Sequence, residues 1–188
     1  SKIDLKSSGF IIISKSGSTP ETLSQFGSLI ELFSQKNNLN ILFKNSMIIT
    51  ENNLSPLAKI AQQHNCLLLE HQKDIGGRYS IFSNVGIVPA LLAGLDVKKI
   101  HAGAAEAKKN YLNNYYLKIG QFFCHQNISK NINNSIIMTY SDSLYFFGKW
   151  YLQLWAESLG KNNKGITAIH AVGTTDQHSQ LQLYLDGP

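Results

Sequence analysis

F-I-I-I-S-K-S-G-S-T-P-E-T, residues 10–22, is the stretch from which the fold can be read. Its first four residues are apolar, three of them β-branched, and a short continuous run of that kind predicts a strand buried on both faces. The run breaks into Ser14-Lys15-Ser16-Gly17-Ser18-Thr19, which is small, hydroxylic and carries one cation. Pro20 and Glu21 read as a first helical turn with Thr19 or Ser18 as its N-cap, and Leu23, Phe26, Ile30 and Phe33 continue at helical spacing over residues 21–35. Strand, hydroxyl-rich turn and helix start together favour an anion, because unpaired N–H groups and the positive end of the helix dipole face the turn. Taken alone, the same stretch is equally an ordinary strand-to-helix turn with a good cap.

Outward from this stretch the pattern repeats. Ser46–Thr50 reads as a second strand, Ser55-Pro56 as the cap and start of a helix through about His64, and residues 66–69 as a third strand. Strands alternating with helices at this spacing predict an α/β fold, a parallel sheet with helices on its faces. The segment H-Q-K-D-I-G-G-R-Y-S-I-F-S-N-V-G, residues 71–86, follows the third strand. Its paired Gly76-Gly77 predicts a backbone conformation, or a close approach, that side chains would forbid. It delivers Arg78 at the carboxyl ends of parallel strands, the edge where open α/β sheets bind ligands. A glycine turn beside a surface arginine is the plainer alternative.

Residues 87–95 read as an apolar helix and 97–121 as mostly helical, while 127–134 is Asn-rich and reads as an exposed loop. Residues 135–140 form another buried strand pattern. Ser143 is expected to cap a helix whose apolar face carries Leu144, Phe147, Tyr151, Leu154 and Trp155, with Glu157 on its flank. A short strand at 166–171 leads into a helix beginning near Thr175 or Asp176 and carrying Gln177-His178.

The 188 residues, 43% hydrophobic and 15% charged, describe a chain with a core rather than a disordered tail. No apolar run approaches the ~20 residues that cross a bilayer and no signal-peptide pattern opens the chain, so no membrane is expected and the cytoplasm is the expected address. Cys66 and Cys124 lack metal-ligand spacing and read as buried reduced thiols. The net charge of +5 suits an acidic partner, but the lysines are dispersed and Arg78 is the sole arginine. A small anion fits that distribution better than a nucleic acid, which calls for a basic face or stripe.

Four stations therefore lie after strands or along helices: Ser14–Thr19, Gly76–Arg78, Glu157 and His178. Individually, a glutamate near a helix end is ordinarily solvated and a histidine beside a cap ordinarily structural. Together they make an anion cradle, a fixed cation, a carboxylate base and a titratable acid. At S-K-S-G-S-T-P-E-T (14–22), D-I-G-G-R-Y-S (74–80), Q-L-W-A-E-S-L-G-K (153–161) and G-T-T-D-Q-H-S-Q-L-Q-L-Y-L-D-G-P (173–188) the chain resembles the phosphoglucose isomerase family of bacterial type, built from two sugar-isomerase (SIS) domains. The motifs fall in the family's order and span nearly the whole chain, while residues 101–134 match poorly.

The resemblance implies an isomerase that interconverts glucose 6-phosphate and fructose 6-phosphate through a cis-enediol. It implies that Ser14, Ser16 and Thr19 hold the substrate phosphate with Lys15 beside it, and that Gly77 and Arg78 lie against the sugar. Glu157 would move the proton between C2 and C1, and His178, supplied by the other subunit of a homodimer, would help open the ring. The chemistry calls for these residue types in its own right. Removing a proton beside a carbonyl needs a positioned carboxylate, and the developing enediolate needs a permanent cation. Ring opening needs a group that exchanges protons near neutral pH, the role of histidine. No metal and no redox cofactor is required.

The family's further Gly-rich phosphate loop and serine have no counterpart before residue 1, and its catalytic lysine has none after residue 188. The chain therefore reads as a central fragment of two partial SIS domains in a three-layer αβα arrangement. Residues 1–95 would be the C-terminal half of the first, 96–134 a helical connection with a variable loop, and 135–188 the N-terminal part of the second. Two sheets with bare edges are expected. The alternative is a phosphosugar-binding SIS module without turnover.

Overall fold

The computed structural model describes residues 4–52, 54–111 and 115–187; Pro188 of the last quoted motif and residues 112–114 of the stretch read as mostly helical lie outside the described residues. Two compact units follow one another along the chain, Ser1–His101 and Ala102–Pro188.

In the first unit, strands β1 (Phe10–Ile13), β2 (Ser46–Thr50) and β3 (Leu67–Glu70) form a sheet in the order β1-β2-β3. Both pairings are parallel, with Ile13 opposite Ile49 and Thr50 opposite Glu70. The strand buried on both faces is β2, where Ile48, Ile49 and Thr50 are fully covered. The sequence assigns that place to β1, but β1 is an edge of this sheet and leaves Ile11 37% exposed. An edge strand has a neighbour on one side only, so an apolar run does not by itself fix the central position.

Helix α1 (Pro20–Ser34) buries Phe26 and Phe33, and α3 (Pro56–Gln63) buries Leu57, Ala58 and Ala61. Between α1 and β2 lies a short helix the sequence does not announce, α2 (Leu39–Lys44), which buries Leu42 and Phe43. Edge-on packing of Phe10 against Phe33 and of Phe26 against Phe43 closes this core. Ser55 caps α3 as its sequence predicts, its Oγ accepting from the Ala58 N–H at 3.3 Å. After β3 a 3-10 turn spans Gly77–Phe82, followed by α4 (Asn84–Leu92); α5 (Val97–Tyr111) begins in this unit and continues past its boundary at His101.

The second unit holds α6 (Tyr115–Lys130), a two-stranded parallel sheet of β4 (Asn134–Thr139) and β5 (Thr167–Val172), and helices α7 (Tyr145–Leu159) and α8 (Thr175–Asp186). Helices α7 and α8 both pack on β5. The fit of α7 depends on Gly148, where an added Cβ would sit 2.4 Å from the His170 ring, and on the Trp155 Nε1–H, which donates to the Ile166 carbonyl at 2.7 Å.

Three expectations for this unit are corrected. Residues 127–130, read as loop, continue α6, and the helix ends at Asn131, whose φ of 55° suits an asparagine cap. Ser143 does not cap α7: it lies in a 3-10 turn, Asp142–Leu144, and its hydroxyl pairs with Ser141 at 2.7 Å. Cys66 is buried, and desolvation pushes its thiol pKa up, but Cys124 is exposed. Both sheets are parallel and carry helices, the α/β class the sequence predicts. No described helix is long and apolar enough to cross a membrane.

Candidate functional site

The turn after β1 is held by its own hydroxyls and by the next two strand ends. Ser14, buried to 5% exposure, takes the Gly17 N–H on its Oγ at 3.1 Å and shares a hydrogen bond of 2.7 Å with Thr19 Oγ1. Thr19 stands at the N-cap position of α1 but its side chain makes no cap bond, because that oxygen is turned to Ser14. Gly17 is buried at φ +67°, and a Cβ there would fall 2.0 Å from Ser55 Oγ and 2.8 Å from Thr50 Oγ1. Its carbonyl accepts from the Leu57 N–H at 3.1 Å, tying the turn to the start of α3.

The turn's outer surface is formed by Ser16 and Ser18, both exposed. Ser16 Oγ accepts from the Ser18 N–H at 3.2 Å and from Ser18 Oγ at 3.1 Å. Ser14 and Thr19 thus shape the turn from inside, while Ser16 and Ser18 present hydroxyls beside the start of α1. Ser18 enters the sequence reading only as an alternative cap; the alternation Ser14, Ser16, Ser18 is the signal that could have found it.

Gly17→Ala is expected to cost about 2–4 kcal/mol, combining the left-handed backbone with an overpacked Cβ. Urea unfolding of the substituted protein measures it, and a loss below about 0.5 kcal/mol would contradict this packing.

The second station begins with an extended Gly76, φ −61° and ψ 146°, and enters the 3-10 turn at Gly77. Ser80 Oγ donates to the Gly77 carbonyl at 2.6 Å, and the Tyr79 N–H to the Gly76 carbonyl at 2.9 Å. The Arg78 guanidinium lies over the Tyr79 ring, 4.6 Å from its centroid. Neither glycine needs a left-handed backbone, which corrects that part of the sequence reading. A Cβ on Gly77 would meet nothing within 4 Å, so the space over that residue is open.

Lys15 joins these two stations. Its ammonium donates to the carbonyls of Lys73 at 2.8 Å and Ile75 at 2.9 Å, and it lies 3.5 Å from Glu51 Oε1.

The other two stations belong to the second unit. Glu157 is exposed in the last turns of α7, where Oε1 accepts from Gln153 Nε2 at 3.0 Å. His178 stands in the first turns of α8 and lines a groove with Thr174, Gln177, Leu181, Gln182 and Leu185. That helix start is fixed by Asp176 Oδ2, which accepts the Val172 N–H at 2.6 Å, and by Gln177 Oε1, which accepts the Tyr140 hydroxyl. An added Cβ at Gly173 would strike the Tyr140 ring at 2.7 Å, so the glycine before this helix is a packing requirement. Among the described residues no group of three His, Cys, Asp or Glu side chains could hold a metal ion.

Comparison with known proteins agrees with these motifs. A probable glucose-6-phosphate isomerase from Methanococcus maripaludis is 41% identical, the match covering 100% of this chain and 43% of that protein. A glucose-6-phosphate isomerase from Rubrobacter xylanophilus is 39% identical over 94% of this chain and 42% of its own length. In the crystal structure of a hypothetical protein from Thermus thermophilus, 46% of the chain superposes on 99% of this one, with a TM-score of 0.88 and 29% identity. The chain thus spans less than half the length of the curated relatives it matches. The family model for phosphoglucose isomerase matches residues 1–187. From the hydroxyl turn after β1 to the histidine of α8, the chain belongs to the phosphoglucose isomerase family.

Proposed function

We propose that the protein is an aldose–ketose isomerase that interconverts glucose 6-phosphate and fructose 6-phosphate in the cytoplasm, as a homodimer and without a cofactor. The observation that carries the reading is the pairing of the exposed Ser16–Ser18 surface at the start of α1 with the Arg78 turn, the two linked by Lys15. In this proposal the substrate phosphate is held by the Ser14–Thr19 turn: Ser16 by its hydroxyl, Ser14 and Thr19 by fixing the shape of the turn. The helix start adds N–H donors and the positive end of a dipole.

The sugar's reacting end lies against Gly77, where the absence of a Cβ leaves room, and Arg78 stabilises the negative charge that develops on the C1 and C2 oxygens. The Glu157 carboxylate takes the proton from C2 of the open-chain aldose. The electron pair left behind forms the C1–C2 double bond while the C1 carbonyl π pair moves onto O1, giving the enediolate that Arg78 faces. A proton then passes from O2 to O1, the C2 carbonyl forms, and Glu157 returns its proton, partly exchanged with solvent, to C1 to give the ketose. His178 exchanges the proton that opens and closes the ring. In the domain assignment proposed here, residues 1–95 belong to one SIS domain, 135–188 to the next, and 96–134 connect them.

The natural gene product tests the function directly. Fructose 6-phosphate should be converted to glucose 6-phosphate in a coupled assay, with the C2 proton partly exchanged for solvent deuterium. Saturable phosphosugar binding without conversion would instead favour a binding module that has lost turnover.

A further inference from the structure

The family motif places a lysine inside a phosphate-holding turn, and a cation there invites a direct role against the phosphate. The geometry of Lys15 is different. An ammonium has three N–H donors, and the Lys73 carbonyl, the Ile75 carbonyl and the Glu51 carboxylate, at 2.8, 2.9 and 3.5 Å, engage the Nζ. The two carbonyls belong to the segment that runs straight into Gly76-Gly77-Arg78. The main chain of Lys15 is anchored too: its carbonyl accepts the Glu51 N–H at 3.0 Å and the Thr50 hydroxyl at 3.2 Å. One end of the residue is fixed to the carboxyl end of β2, and the other holds the arm that presents the guanidinium.

We propose that Lys15 is a positioning residue: it clasps the Arg78 arm to the phosphate turn and sets the distance between phosphate and guanidinium. The inference rests on the isomerase reading above for its kinetic consequence, though not for the clasp itself. Charge-assisted hydrogen bonds to backbone carbonyls suit this task, because they hold a loop whatever its side chains. Glu51 contributes by balancing the ammonium's charge at the junction.

A clasp and a phosphate ligand separate experimentally in the natural gene product, using Lys15→Met, which keeps the length of the stem and removes its donors. Amide hydrogen exchange is the first readout. The clasp predicts faster exchange at the Tyr79 and Ser83 N–H groups with little change at Gly17 and Leu23; equal exchange at Tyr79 and Ser83 overturns it. Kinetics and competition by inorganic phosphate are the second. The clasp predicts an inhibition constant for phosphate within about threefold of wild type, and a kcat lowered about tenfold to a hundredfold, the scale of lost charged hydrogen bonds. Adding Lys15→Met to Arg78→Met should cost little more than Arg78→Met alone, because both remove one function. Phosphate affinity falling tenfold, or fully additive losses in the double variant, overturns the clasp. A wild-type protein without isomerisation would defeat the functional reading, and the exchange measurement would still decide the clasp.

Discussion

Glu157→Gln in the natural gene product is expected to lower kcat for fructose 6-phosphate isomerisation by a factor of ~10²–10⁴, the range supplied by a positioned general base. The substitution isolates the proton transfer. Glutamine keeps the length and shape of the side chain, and its amide oxygen can still accept from Gln153 Nε2, the contact Glu157 Oε1 makes at 3.0 Å. Glu157 is exposed, so stability should change by less than about 0.5 kcal/mol. Phosphosugar affinity should stay within about threefold, since phosphate recognition is assigned to Ser14–Thr19. Stopped-flow or coupled kinetics beside a binding isotherm provide both numbers. A kcat within threefold of wild type would remove Glu157 from the mechanism.

Arg78→Met should lower kcat by ~10²–10³, the usual consequence of deleting one preorganised donor from a site of developing negative charge. Methionine keeps an apolar stem that can lie over the Tyr79 ring, where the guanidinium now sits 4.6 Å from the centroid. The loss should therefore report charge rather than collapse of the 3-10 turn, which is held by Ser80 Oγ on the Gly77 carbonyl at 2.6 Å. Arg78→Lys should recover only part of the rate, because an ammonium offers a point charge where the guanidinium offers a planar fork. Equal rates for Arg78→Met and wild type would show that the enediolate draws its stabilisation elsewhere.

The sequence shows the fold most plainly where physical signals are local and strong. β1 and β2 occupy the predicted residues because short apolar β-branched runs bounded by polar residues have few other uses. The Pro20 and Ser55-Pro56 starts hold because proline is preorganised for a first helical turn. The misses fall where local signals are weak or ambiguous. Helix α2 is six residues long, too short for periodicity to show. The Asn-rich run 127–134 reads as loop by composition, yet Asn127 donates to the Ile132 carbonyl at 3.0 Å and Asn131 takes the left-handed φ that closes the helix. Asn37 and Asn65 adopt the same φ after α1 and α3, so in this chain asparagine marks helix ends as much as loops.

The candidate site divides in the same way. The residue types and their order are legible because the motifs are contiguous. The division of labour within the turn is not. Ser14 and Thr19 face each other, and Lys15 reaches carbonyls 58 and 60 residues away, a relation no local pattern encodes.

Recognition of a sugar phosphate by the Ser14–Thr19 turn is open to a direct test, thermal unfolding of this 188-residue chain with and without fructose 6-phosphate. Ligand at about a hundredfold excess over its dissociation constant should raise Tm by roughly 5–10 °C. Unphosphorylated fructose should leave Tm unchanged, and Ser16→Ala should shrink the shift at equal ligand concentration. A Tm that stays the same with fructose 6-phosphate, glucose 6-phosphate and a phosphorylated sugar acid alike would contradict the account, leaving residues 14–19 as a well-packed turn between a strand and a helix.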